Sequence, residues 1–369
     1  MQPLAGIRVL DFSTLLPGPL ATLILAEAGA EVVKIERPGT GDEMRSYAPK
    51  LGPSSVNFAL LNRGKRSIAI DLKAPEAVAK VMALAEKSDV IVEQFRPGVM
   101  DRLGLGYAAV AARNPGIVYC SITGYGQTGP RAQTAAHDLN YIAEMGMLAL
   151  SAGPDSAPVL PPALVADIGG GAYPAIMNIL LALRVRDASG RGSKLDVAMT
   201  DNLFAFMYWA LGDGLAAGRW PQPGGALVTG GSPRYQIYRT RDDRFVAAAP
   251  LEPKFWQNFC EAIELPVAVR DDSRDPEKTG AAVAERIRSR NAEEWRHVFA
   301  GKDVCCSIVS SLRDALADPQ VVARRLFDRH VNAGDQAIPA LPLPIADMFR
   351  SAARAASYPA LGEANGLLD

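Results

Sequence analysis

Only three of the 369 residues are histidines, at 137, 297 and 330. His137 has the setting best suited to proton chemistry. It follows the small and polar run Gln133-Thr-Ala-Ala and precedes Asp138. An imidazole titrates near pH ~6.5, so it can hold or release a proton close to neutrality. Asp167 stands in Val165-Ala166-Asp167-Ile168, just ahead of Gly169-Gly170-Gly171. An aspartate with the ordinary pKa of about 3.9 is a weak base. The apolar neighbours push that value up, and a helix start at Asp167 pulls it down, because the positive end of the helix dipole favours an anion. The sequence does not rank these effects. Unpaired N–H groups near Gly169–Gly171 can also stabilise a developing oxyanion, since glycine permits close approach. Asp138 is placed either to cap a helix opening near Leu139 or to touch a substrate. Glu252, followed by Pro253, is a carboxylate in the first turn of a helix.

Several other chemistries are disfavoured. The four cysteines include the adjacent pair Cys305-Cys306 but no CxxC or Cys/His ligand spacing. With so few histidines, no metal site is expected. Free cysteines fit a reducing cytoplasm, the localisation expected here. The net charge of −1 argues against a nucleic-acid partner or an anionic membrane. Arg8 and Asp11 interrupt the first apolar run, which is therefore no signal peptide. Uninterrupted apolar runs such as Leu203–Leu211 fall well short of the roughly 20 residues that span a bilayer, so no membrane partner is expected.

The elements that must position these residues follow an α/β pattern. The composition, 49% apolar and 21% charged, supports a packed core. Domains run to roughly 100–200 residues each, which suggests two. Short β-type runs at 7–12, 31–35, 67–72, 89–92 and 117–122 alternate with helical segments, which implies a parallel sheet covered by helices. A loop is expected at 13–19, a long buried helix from Asp167 to Arg186, and a strand over 194–199. We place the large domain at 1–200, with the C-terminal segment from about 330 to 369 returning to it. A Gly- and Pro-rich linker is expected at 201–227, and a smaller α+β domain at 228–320, opened by a hairpin around Thr240–Asp243. Helices are expected near 253–263, 279–288, 292–299 and 321–328.

An acidic residue after the second strand, Glu36, invites a dinucleotide reading. The first turn reads Ser13-Thr-Leu-Leu-Pro-Gly-Pro, without the GxGxxG that lets backbone approach a pyrophosphate. A nicotinamide or flavin function is set aside on that ground, and no bound cofactor is expected.

Several blocks in order resemble the family III CoA transferases and 2-methylacyl-CoA racemases. They are GPLATLILAEAGAEVVKIERPG at 18–39, Asn62-Arg-Gly-Lys-Arg-Ser-Ile68 with Asp71-Leu-Lys73, Phe95-Arg-Pro-Gly-Val99 with Arg102-Leu-Gly104, and Gly124-Tyr-Gly-Gln-Thr-Gly-Pro130. The resemblance runs from residue 4 to about 205 and continues more weakly beyond. It implies a Rossmann-like large domain with a parallel sheet, a smaller α+β domain on long linkers, and an interlocked homodimer. It also implies an acyl-CoA thioester as substrate, with CoA arriving as part of that substrate.

By the same resemblance, Asp167 matches the carboxylate that transferases use as a nucleophile and racemases use as an acid/base. His137 stands in the racemase-like block His137-Asp138-Leu139-Asn140-Tyr141, and Glu252 in a Glu-Pro turn of the small domain, where it would orient His137 from the partner chain. The expected function is therefore an α-methylacyl-CoA racemase, an isomerase moving a proton between the two faces of the carbon beside the thioester. The alternative is a CoA-transferase with Asp167 as covalent nucleophile. Leu16 stands where some transferases carry glutamine. Arg37 and Arg102 match positions that contact CoA. Lys65, Arg66 and Arg96 are further cations for its phosphates, and Asp138 and Tyr141 further contacts.

Overall fold

The computed structural model describes residues 2–369 and divides into two compact units. The first comprises Met1–Met145, Pro162–Phe206 and Arg324–Asp369. The second comprises Gly146–Pro161 and Met207–Ala323.

The first unit is built on six parallel strands: β1 (Arg8–Asp11), β2 (Glu31–Glu36), β3 (Arg66–Ala69), β4 (Val90–Glu93), β5 (Val118–Thr123) and β6 (Ser193–Ala198). Their spatial order is β3-β2-β1-β4-β5-β6. Val9 of β1 pairs with Val32 on one side and Val90 on the other. The order reverses there, between β1 and β4, and open parallel sheets gather ligands at such a point beyond their strand ends. Strands β4 and β5 are buried along their whole length, as expected of strands covered on both faces. Leu10, Val33, Ile68, Ile91 and Tyr119 form the core of this layer with Val81 and Leu84 of helix α2 (Pro75–Ala85).

Helix α1 (Pro17–Glu27) starts earlier than the loop expected at 13–19 allows. Pro17, Gly18 and Pro19 form its first turn, because a proline lacks only an N–H that the helix start would leave unpaired anyway. Gly29, at φ +106°, then turns the chain into β2. Between β5 and β6 lie helix α3 (Asp138–Glu144), a π-helical segment Ala166–Ala172, and helix α4 (Tyr173–Ser189) that continues it. The continuous helix Ala166–Ser189 is long and apolar enough to cross a membrane by length and composition. Isolated polar residues such as Asn178 and Arg184 break its apolar runs and hid this from a count of uninterrupted stretches. One face, with Ala175, Ile179 and Ala182, is buried in the unit. The chain ends against β3, where Asn365 Oδ1 accepts the Ala69 N–H at 2.8 Å.

The second unit carries an antiparallel three-stranded sheet of β7 (Gln236–Arg239), β8 (Phe245–Ala248) and β9 (Cys306–Ile308). Helices α6 (Pro253–Ala262), α7 (Pro276–Arg288) and α8 (Ala292–Phe299) pack on it through Trp256, Phe259, Val283, Ile287, Trp295 and Phe299. The stretch expected to be a linker, 201–227, contains a 3-10 turn Asp201–Met207 and helix α5 (Tyr208–Ala217). Its Gly and Pro residues concentrate after that helix, so the composition of the whole stretch misrepresents its first half. The helix expected at 321–328 is only Pro319–Ala323, and Arg325 at φ +55° breaks any continuation.

Candidate active site

A cavity of about 400 Å³ opens in the first unit beyond the carboxyl ends of the strands. Leu15 and Pro17 reach it from the turn after β1, Gln94–Pro97 from the loop after β4, and Ile122–Tyr125 from the end of β5. Met199 follows β6. Ala132, Thr134–His137 and Asn140–Tyr141 close another side, and Asp167 completes the wall. His137 and Asp167, the two groups singled out for proton chemistry, therefore face one space.

Their placement follows from local structure. His137 is the N-cap of α3, with extended backbone, and its N–H donates to Asn140 Oδ1 at 3.0 Å. The side chain is exposed. Asp138, in the first turn of α3, is buried, and its Oδ1 accepts the main-chain N–H of Asp167 at 3.0 Å. Asp138 does not line the cavity. The substrate contact expected of it is corrected to a clamp on Asp167. Burial is the largest influence on the Asp167 carboxyl, and the nearby Asp138 carboxylate adds to it. His137 acts in the opposite sense, and the net result is a pKa pushed up to about 6. Desolvation thus outweighs the opposing pull of His137.

The glycines after Asp167 do not serve the oxyanion role expected of them. None lines the cavity. They let the π-helical turn pack tightly. A Cβ at Gly170 would lie 2.4 Å from the Met199 carbonyl oxygen, and one at Gly169 2.6 Å from the Phe206 ring. In a π-helix the N–H groups run along the axis to carbonyls five residues back.

The turn after β1 is held by buried charge. Asp11 accepts from the Ser13 N–H at 2.9 Å and from the Thr22 hydroxyl at 2.6 Å. Lys34 Nζ donates to Ser13 O at 2.6 Å and pairs with Asp42 at 3.0 Å, both side chains fully buried. Leu15 sits in the left-handed region at φ +62°, its N–H 3.3 Å from Asp42 Oδ2. Gly18 donates its N–H to Gln94 Oε1 at 3.1 Å, which joins this turn to the loop after β4.

The cations separate into two groups. Lys65 is fully buried, and its Nζ meets Asp11, Pro19 O, Thr22 Oγ1 and Asn62 Oδ1 within 3.1 Å. No direction remains for a phosphate, so its expected CoA contact is corrected to a structural role. Arg66 opens β3 at the opposite end of the sheet from the cavity and pairs with Glu31 at 3.1 Å. It is likewise no cavity cation. Arg63 is buried on Glu27. Arg37, Arg96 and Arg102 are exposed beyond the carboxyl ends of β2 and β4, with no side-chain partner among the described residues. Of these only Arg96 lines the cavity. Glu36, considered above for a ribose, is buried on Arg45 and the Ser67 hydroxyl.

Tyr141 lines the cavity, its hydroxyl donating to Ala136 O at 2.9 Å and its ring edge-on to Tyr125 at 5.3 Å. Glu252 is exposed at the N-cap of α6 in the second unit and makes no capping bond. Among the described residues no cluster of three or more His, Cys, Asp or Glu side chains is placed to hold a metal.

Sequence reasoning missed Gln94, Tyr125 and Met199 of the cavity wall, and Glu93, which lies outside it at the end of β4. Burial raises the Glu93 carboxyl to about 6, although it accepts the Phe95 N–H at 2.9 Å. Only its position at the end of a switch-point strand signalled it.

The sequence matches the family described as CoA-transferase family III over residues 4–365. It is 33% identical to the mouse protein named alpha-methylacyl-CoA racemase over 98% of this chain and 91% of that one. It is 31% identical to human succinyl-CoA:glutarate CoA-transferase, covering 92% and 79%. A crystal structure of a CAIB/BAIF family protein from Brucella suis superposes with a TM-score of 0.84 at 27% identity, with both chains covered completely. Relatives named for racemisation and for CoA transfer thus stand at similar identity. With residues 4–365 matched and the fold and cavity on the page, the chain belongs to CoA-transferase family III, a family of enzymes.

Proposed function

We propose that the protein is a 2-methylacyl-CoA racemase. The observation that carries this reading is the shared cavity of His137 and Asp167, an exposed imidazole and a carboxyl raised to about 6. Racemisation removes the proton beside the thioester carbonyl and returns a proton to the other face. One residue takes the proton, the C–H electron pair moves into an enolate, and the conjugate acid of the other residue protonates the same carbon. A carboxyl held near 6 gives up and takes back a proton close to neutrality, which suits catalysis in both directions. Arg37, Arg96 and Arg102 are free to meet the CoA phosphates.

Self-association belongs to the same reading. Met177, Leu181 and Val185 form an exposed apolar stripe along α4, at 57%, 65% and 58% exposure. A second copy of the chain would cover such a stripe, and Glu252 would then act on His137 from the partner. Light scattering reporting a monomer would remove this part.

A CoA-transferase with Asp167 as nucleophile is the second reading, favoured by the similarity to succinyl-CoA:glutarate CoA-transferase. Incubation with 2-methylacyl-CoA thioesters in heavy water separates the two. Deuterium at the α-carbon supports the racemase. Its absence across several acyl chains, with hydroxylamine trapping of an activated Asp167, supports the transferase.

A further inference from the structure

A second cluster lies at the opposite end of the sheet from the cavity, where α1 ends. Glu27 Oε1 accepts from Arg63 Nε at 2.9 Å, and Glu27 Oε2 from Arg350 Nε at 3.0 Å. Arg329 Nη1 stands 3.9 Å from the same Oε2. Three guanidinium groups share one carboxylate, and their side chains are only 2%, 9% and 13% exposed. Arg63 and Arg329 spend their remaining donors on the carbonyls of Leu60, Leu341, Ala353 and Ser351. Arg350 Nη2 is buried and makes no hydrogen bond among the described residues, although it lies 3.0 Å from Glu27 Oε2.

A cavity of about 280 Å³ opens onto this group. Arg324, Arg325, Arg329, Arg350 and Arg354 line it, with Asp347 as the one carboxylate among the described lining residues. Arg325 and Arg354 both turn to Asp328, and Arg324 has no ion-pair partner among the described residues. Six arginines therefore stand against Glu27, Asp328 and Asp347. Like charges crowded around one pocket repel unless an anion joins them, and water screens this least at Arg329 and Arg350, whose side chains are largely buried. The planar fork of arginine matches the oxygens of a phosphoryl group, and several forks converging on one space suit an anion with more than one charge. Leu343 and Ile345 in the wall offer no competing side-chain acceptor.

We propose that this pocket binds a phosphoryl anion of about pyrophosphate size, at a site separate from the catalytic cavity.

Isothermal titration of the full chain with inorganic pyrophosphate at low salt tests this. One saturable site per chain is expected. The double variant Arg324→Gln/Arg354→Gln changes only exposed side chains and should weaken binding by about tenfold or more, as loss of charge-assisted hydrogen bonds implies. Arg350→Lys, which keeps the charge and loses the fork, should weaken it as well. Arg37→Gln/Arg96→Gln should leave it unchanged. Absence of saturation at millimolar pyrophosphate overturns the proposal. So does binding lost in the Arg37/Arg96 variant instead, which would place the anion on the cavity cations. A double variant that dissociates into smaller species on light scattering also overturns it, by giving these arginines to a neighbouring chain.

Discussion

The main-chain N–H of Asp167 is held by the carboxylate of Asp138 at 3.0 Å, across the space between α3 and the π-helical turn. Asp138 thereby fixes where Asp167 begins its turn, and its charge also helps keep the Asp167 carboxyl protonated to higher pH.

Asp138→Asn should separate these two effects. An amide oxygen still accepts the Asp167 N–H, while the repelling charge is gone. The acid limb of kcat/KM, expected near pH 6 in the parent, should move to lower pH by up to about one unit. Asp138→Ala loses the clamp too, and kcat should fall by about tenfold or more with a smaller change in KM. Superimposable acid limbs for parent and Asn variant would contradict the electrostatic part.

Asp167→Asn should abolish turnover, by about 10³-fold or more, yet stabilise the fold at neutral pH. The folded carboxyl titrates at about 6 and the reference carboxyl at 3.8. The folded state therefore binds the extra proton between those values, and parent stability declines as pH rises through that window. The cost of the buried anion is absent below pH 4 and complete above pH 6. Thermal unfolding should show the variant's advantage opening across that range and level at pH 7. A gap that is constant with pH would refute the assignment.

Lys65→Met leaves Asp11 buried without its ion-pair partner, with Lys34 as the remaining nearby cation. Denaturant unfolding should show a loss of about 3–5 kcal/mol, the usual consequence of removing one member of a fully buried pair. Arg66→Gln, on a half-exposed pair, should stay within about 0.5 kcal/mol of the parent. If Lys65 bound CoA instead, the main effect would fall on KM.

Arg96→Gln should raise KM for the thioester by about tenfold while leaving kcat nearly unchanged, because a phosphate contact remote from the reacting carbon binds ground and transition states alike. The effect should shrink as salt rises, since the side chain is exposed. A fall in kcat without a change in KM would assign Arg96 to the chemistry.

Most of the sheet was legible because its strands are short apolar runs separated by helical segments, a pattern that burial on both faces imposes. His137 and Asp167 were legible through the blocks around them. The partners of the cations were not. Lys65 and Arg66 are adjacent in sequence, and only the strand's direction and the burial of Asp11 send one into the core and the other to solvent. Asp138 was open between two roles because its partner, the Asp167 N–H, lies far along the chain. Gly169–Gly171 misled for a related reason. Glycine permits close approach, and the sequence does not say whether a ligand or Met199 comes close.

The π-helical turn at Ala166–Ala172 also makes the position of Asp167 a matter of residue count. Loss of one residue from 168–171 would let the segment wind as an ordinary α-helix, continuous with α4. Each residue of such a helix advances roughly 100° about the axis. The turn as it stands takes up one residue more than an α-helical turn, so Asp167 would keep nearly its present direction. A second loss has no surplus residue to absorb it, and would turn the carboxylate away from the space it shares with His137.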